Sequence, residues 1–338
     1  MKRPLIAVTA GDPAGVGPEI LAKAFASRDV AGAARCVAVG DYAVMENALA
    51  LTGLPLKVRP LRTIEDGDFT EGALNLVPVN TIDMAAFRHG EVSAMCGKAA
   101  FACIEKSIGL ALNKEVDAVA TAPINKESLK RGGIPYIGHT EIFAGLTGTK
   151  DPLTVFEVRG MRIFFLSRHV SLRKACGLVR KDRIVDYVKR AFAVLRQFGV
   201  GDGIMAIAGL NPHSGEHGLF GDEEASEVSP AVDALKSQGY RVEGPVSADS
   251  VFHQALQGKY AAVLSLYHDQ GHIAAKTLDF ERTISITGGM PILRTSVDHG
   301  TAFDIAGKNS ASAVSMIEAI ILAAKYAPLF NRQQNSVK

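Results

Sequence analysis

Residues 4–27 read PLIAVTAGDPAGVGPEILAKAFAS. The first seven are almost continuously apolar and β-branched in part, as expected of a strand buried on both faces. GDPAGVGPE (11–19) is a glycine-rich loop, and ILAKAFAS (20–27) has helical character. This strand–loop–helix unit recurs. Short apolar runs at 36–40, 117–123, 154–158, 162–167, 203–209 and 261–267 read as further strands, and a helix is expected near 42–52. The clearest helix lies over 183–199: Ile184, Val188, Ala191, Leu195 and Phe198 share one face, and Gly199 stops it. Such alternation predicts an α/β fold with a mostly parallel or mixed sheet and helices on both faces.

A chain of 338 residues is long for one simple core and suggests two domains or one large α/β unit. No linker divides it. Two α/β domains are therefore expected to share it discontinuously, the first from 1–125 plus about 290–338, the second from about 126–289. Basic and acidic residues number 37 and 35, so the net charge of +2 makes no electrostatic case for nucleic acid or a membrane. An anionic small substrate needs only a local cationic pocket. The four cysteines form no CxxC pair and are expected to be reduced and mostly buried, Cys96 and Cys103 at helical spacing. The basic start MKRP leads into an apolar run broken by Gly11 and Asp12, unlike a signal peptide. The most apolar helix, SAVSMIEAIILAAKYA, carries Glu318 and Lys325 and falls short of the ~20 residues of a membrane span. A soluble, cytoplasmic protein is expected. The polar tail after Phe330 is expected to fray.

Titratable residues gather just past strand ends, where such folds place their function. His139 and Thr140 stand before a helical pattern. His169, then His213 with His217, then His268 with His272 each follow a buried run. Three histidines beyond three strands suggest one divalent-metal site with an open position; the alternative from pattern alone is unrelated surface or capping histidines. Lys276 and Arg294 are candidates for an anionic group such as phosphate, whereas Arg168, Arg173 and Lys174 read as a solvated face. GDPAGVGPE is neither GxGxxG nor a P-loop, so its glycines say only that the chain turns tightly.

Six motifs occur in order: GDPAGVGPE, TAPINK, GHTE, LNPHSGE, YHDQGH and LRTSVDHGTAFDIAGK. Together they resemble the 4-hydroxythreonine-4-phosphate dehydrogenase family of vitamin B6 biosynthesis, over roughly residues 4–325. The first and last also resemble the wider isocitrate and isopropylmalate dehydrogenase group, which binds NAD without a Rossmann fingerprint.

The resemblance implies two α/β domains around a cleft and a homodimer, with one metal histidine supplied by the partner subunit. It implies His169, His213 and His268 as ligands of a zinc, magnesium or cobalt ion, with His213 rather than His217 binding. His139, Thr140, Lys276 and Arg294 would contact substrate, and Gly300 and Asp304 would contact NAD. A further family contact is an asparagine nine positions before Arg294; here Ser285 stands there. The implied reaction is metal-dependent oxidation and decarboxylation of a 4-phosphorylated hydroxy acid, with Asp249 or Asp269 as the base. The first substrate expected is 4-phosphohydroxy-L-threonine, giving 3-amino-2-oxopropyl phosphate for pyridoxal phosphate. The second is D-threonate or D-erythronate 4-phosphate of sugar-acid catabolism. A metal-dependent hydrolase, which would not need HGTAFDIAGK, is a distant third reading, and a non-catalytic sugar-acid binding protein, which would need neither a metal nor a base, a fourth.

Overall fold

The opening apolar run forms, in the computed structural model, strand β1 (Leu5–Thr9), buried at every position. The structure describes residues 3–70 and 72–336. The chain divides into two units, Met1–Pro152 with Met290–Lys338, and Leu153–Gly289.

In the first unit β1 is joined by β2 (Arg35–Gly40), β3 (Lys57–Pro60), β4 (Ala73–Pro78) and β5 (Ala118–Thr121). The second unit contains β6 (Leu153–Val158), β7 (Met161–Phe165), β8 (Met205–Ala208), β9 (Val242–Val246), β10 (Ala262–Ser265) and β11 (Ile284–Gly288). The returning chain adds β12 (Arg294–Ser296) to the first. Among the described residues the first unit's strands run β3-β4-β2-β1-β5-β12 and pair parallel throughout. The second unit's run β11-β6-β7-β10-β8-β9. There β11, β6 and β7 pair antiparallel, and β7, β10, β8 and β9 parallel.

All seven apolar runs singled out in the sequence form strands. The five strands not anticipated are short or polar. β3 is KVRP and largely exposed, as an edge strand can be. Asn75 interrupts β4, where it bonds Asp68. The expected helices form at Tyr42–Thr52 and Lys181–Gln197. Asp41 starts the first by accepting from the N–H groups of Ala43 and Val44, and Gly53, at φ 63°, ends it.

Three expectations are corrected. The first unit does not end near 125. Helices Lys126–Arg131 and His139–Thr147 put Leu129, Ile142 and Phe143 into one core with Leu5, Val37, Ile104 and Ile108. The polar tail does not fray after Phe330: the helix Val314–Ser336 carries on, with Asn331 Nδ2 donating to Asp117 Oδ1 at 3.0 Å. Residues 337–338 lie outside the described residues. That same helix is longer than its apolar stretch suggested, and by length and mean hydropathy (1.3) could cross a membrane. It lies against β5 and β12 instead, and Met316, Ala319, Ile320, Ala323, Tyr326 and Ala327 are buried there. The thiols fit their reading: Cys96 and Cys103 are buried in helix Ala94–Leu112, and burial pushes them up to about 11 and about 12.

Candidate active site

In the first unit a buried cation sits at the start of β12. Arg294 is 4% exposed. Its Nε and Nη2 donate to Thr121 Oγ1, at the end of β5, at 3.2 and 3.0 Å, and its guanidinium lies 5.1 Å from the centre of the Phe143 ring. Burial brings its pKa down to about 9, so it stays cationic at neutral pH. Beside it begins helix His139–Thr147, whose N-cap, Gly138, has no side chain to offer the first turn. Those N–H groups face outward with the positive end of the helix. His139 Nε2 is buried without a hydrogen-bond partner. Burial, then the charge of Arg294, holds this imidazole well below its usual pKa, hence neutral. Thr140 follows it, part-buried. A buried guanidinium, a free helix start and an unsatisfied ring nitrogen make a pocket suited to an oxyanion.

In the same unit the first and last of the six motifs meet. Val16 N–H donates to Thr301 O at 3.0 Å, and Gly307 N–H donates to the buried Glu19 Oε1 at 2.5 Å. Gly15 is small for a reason: a Cβ there would lie 2.9 Å from Thr301 O. The loop carrying Gly300 and Asp304, both exposed, is thereby pinned to the start of helix Gly17–Phe25.

The second unit holds the histidines. His268 opens helix His268–Leu278 just after β10, and His169 lies in the exposed turn after β7. Their ring centres are 6.0 Å apart. His268 Nδ1 is 2.6 Å from Asp269 Oδ1. A carboxylate there keeps that nitrogen protonated and leaves Nε2 free to bind a metal. The ring is also held by His272, stacked on it at 3.6 Å and itself wedged against Phe156 and Phe165. Two imidazoles on one tetrahedral zinc at ~2 Å bonds have centres about 5 Å apart, roughly 1 Å closer than this pair stands. His213 is exposed, on a turn with its ring 6.2 Å from Phe220. It does not complete the set: among the described residues no three His, Cys, Asp or Glu side chains come together as a metal site. His217 is exposed on the same turn, so exposure does not separate the two.

Of the two candidate bases, Asp269 is engaged with His268, whereas Asp249 is exposed in the first turn of helix Ala248–Leu256. Both line one pocket of about 630 Å³. Lys276 is half-buried, its ammonium 5.0 Å from the Phe280 ring. Ser285 sits mid-strand in β11 opposite Phe156.

Sequence reasoning missed Thr121, Phe143 and Glu19. Thr121 and Glu19 stand inside quoted motifs, which was the available signal. Phe143 reads as an ordinary core residue, and only the fold puts its ring under Arg294.

The profile of the family described as pyridoxal phosphate biosynthetic protein PdxA matches residues 32–323. A Clostridium botulinum protein, provisionally named D-threonate 4-phosphate dehydrogenase, is 58% identical over 330 residues, 98% of this chain and 99% of the relative. A Fusobacterium nucleatum protein of the same provisional name is 57% identical over 328 residues, 97% of this chain and 98% of the relative. Among solved structures, the 4-hydroxythreonine-4-phosphate dehydrogenase of Klebsiella pneumoniae superimposes with a TM-score of 0.89 at 42% identity, covering 96% of this chain and 98% of that one.

Proposed function

Because the chain belongs to the PdxA family of phosphorylated hydroxy-acid dehydrogenases, we propose that it oxidises D-threonate 4-phosphate, or its D-erythronate epimer. The products are dihydroxyacetone phosphate, CO2 and NADH. Full-length relatives with the D-threonate 4-phosphate name are more similar than the solved 4-hydroxythreonine-4-phosphate enzyme. They favour this second expected substrate over 4-phosphohydroxy-L-threonine. Ser285 is in keeping with a substrate other than 4-phosphohydroxy-L-threonine: it offers a short hydroxyl where the family resemblance implies an asparagine amide.

The observation that carries the reading is the Arg294 pocket, a buried cation beside an unsatisfied His139 nitrogen. The substrate phosphate takes this place, against Arg294, His139 and Thr140. Lys276 meets the carboxylate. When bound, a divalent cation (zinc, magnesium or cobalt) would polarise the reacting hydroxyl, and NAD+ would take the hydride. His169 and His268 offer two ring nitrogens to that cation, with Asp269 orienting His268, and His213 is the third ligand. Asp249, unencumbered, takes the hydroxyl proton. The loop with Gly300 and Asp304 holds the nucleotide. The enzyme works as a homodimer, with one histidine of each site coming from the second copy. The exposed Leu256 and Ile273 at the 630 Å³ pocket form the kind of apolar face a second copy covers.

The test is a panel of D-threonate, D-erythronate and 4-hydroxy-L-threonine 4-phosphates, assayed for NADH with zinc, magnesium or cobalt and again after chelation. We expect kcat/KM for one sugar-acid phosphate to exceed that for the amino substrate by at least about tenfold, 1.4 kcal/mol. No metal-dependent NADH from either sugar-acid phosphate would sink the proposal.

A further inference from the structure

The stretch LNPHSGEHGLFGDEE (210–224) ends in acidic residues for which the proposed reaction has no use. One of them is fully engaged. Glu224 is 3% exposed. Its Oε1 accepts the backbone N–H groups of Leu210 and Asn211, both at 2.7 Å, and its Oε2 accepts Asn211 Nδ2 at 2.8 Å. Asn211 Nδ2 donates as well to Glu223 Oε2 at 2.7 Å. Glu224 opens the π-helical turn Glu224–Val228, which runs straight into helix Ser229–Ser237. That helix packs on β9. The loop after β8 is thus bolted to an element already fixed on the sheet.

What the bolt holds is a backbone that L-residues avoid. His213, Ser214, Gly215, Glu216 and His217 have φ of 52°, 55°, 78°, 42° and 58°. This is a turn of left-handed helix, and only one of its five residues is glycine. Such a run persists only where the surroundings impose it. Leu210 and Asn211, which Glu224 grips, lead into the turn through Pro212, and Ser214 N–H donates to Asn211 O at 3.1 Å. His213 is the first residue of the turn, so the direction of its imidazole is set by this geometry.

We infer that Glu224, with Asn211, is a positioning residue for the metal site: the clamp holds the left-handed turn that presents His213. The inference rests on the reading of His213 as a ligand. Glu224 itself does not touch the cation. Its charge is spent on two backbone N–H groups and an amide.

Cobalt(II) titrated into the full-length protein, followed by its visible absorption, reads the site without any turnover. Glu224→Gln keeps the size of the side chain but sets an NH2 against the Asn211 amide. Asn211→Ala leaves Glu224 its two backbone partners and removes the third. Both should weaken cobalt binding by roughly 10- to 100-fold, as loss of an orienting partner does, while circular dichroism and the thermal midpoint report a folded protein. His217→Ala, on the same turn, should bind cobalt as the parent does. His213→Ala separates the two layers of the argument. If it loses cobalt while Glu224→Gln and Asn211→Ala bind within about twofold of the parent, the clamp has no positioning role. If His213→Ala binds cobalt normally, the ligand assignment itself fails. Should Glu224→Gln not fold, Asn211→Ala decides alone.

Discussion

Asp12 shows what burial does to a single group. It is 0% exposed. Burial raises its pKa to about 6, although hydrogen bonds from Ala14 N–H, Ser128 and Asn125 pull the other way. An acid whose pKa rises on folding binds its proton more tightly when folded. Stability therefore falls as pH climbs from about 4 to about 6 and is level above that. A rise from 3.8 to about 6 corresponds to roughly 3 kcal/mol. Asp12→Asn removes the titration, so its stability relative to the parent should improve by about that amount between pH 4 and pH 8. Denaturant unfolding at the two pH values checks this, and a gap that does not change with pH would clear Asp12 of the effect. At this scale motifs singled out Arg294 and His139, which the fold brings close together. They served poorly for Asp12 and Thr121, whose work depends on burial and on a partner far away in the chain. Thr121 is defined by Arg294, 173 positions on.

Elements were legible wherever one apolar face or run dominates, as in β1 or helix Lys181–Gln197. How they pack was not. Gly97 lies inside helix Ala94–Leu112, where sequence rules count it as a weakness. In the fold helix Lys126–Arg131 presses on it: a Cβ at position 97 would stand 2.0 Å from Ser128 O, which is backbone and cannot swing away. Gly97→Ala improves helix propensity by about 1 kcal/mol but forces the two helices apart, which costs about 1–3 kcal/mol. We expect net destabilisation in urea unfolding. A stabilised variant would mean the contact yields. The same crossing of helices carried the first unit past 125, because Leu129, Ile142 and Phe143 complete its core.

At the level of the whole molecule, one chain pairs His169 with His268 and leaves the set of three incomplete. In the proposed dimer, where His169 and His268 of one chain hold a cation together, His213 of that chain serves the other site. Mixing inactive His213→Ala with inactive His268→Ala enzyme should restore up to about half the activity of each mixed dimer, since one of its sites receives both changes and the other neither. No recovery, with subunit exchange verified by mass spectrometry, would argue that each chain builds its own site. The amino-acid sequence by itself determined the α/β class, seven of the strands, the family and the identity of the titratable residues, because these follow from local periodicity and from contiguous motifs. Tertiary structure alone decided that GDPAGVGPE and HGTAFDIAGK lock together, that Thr121 and Phe143 hold Arg294, and that Glu224 clamps the left-handed turn at His213. Each of these joins groups whose energies depend on burial and distance, and neither quantity exists until the chain has folded.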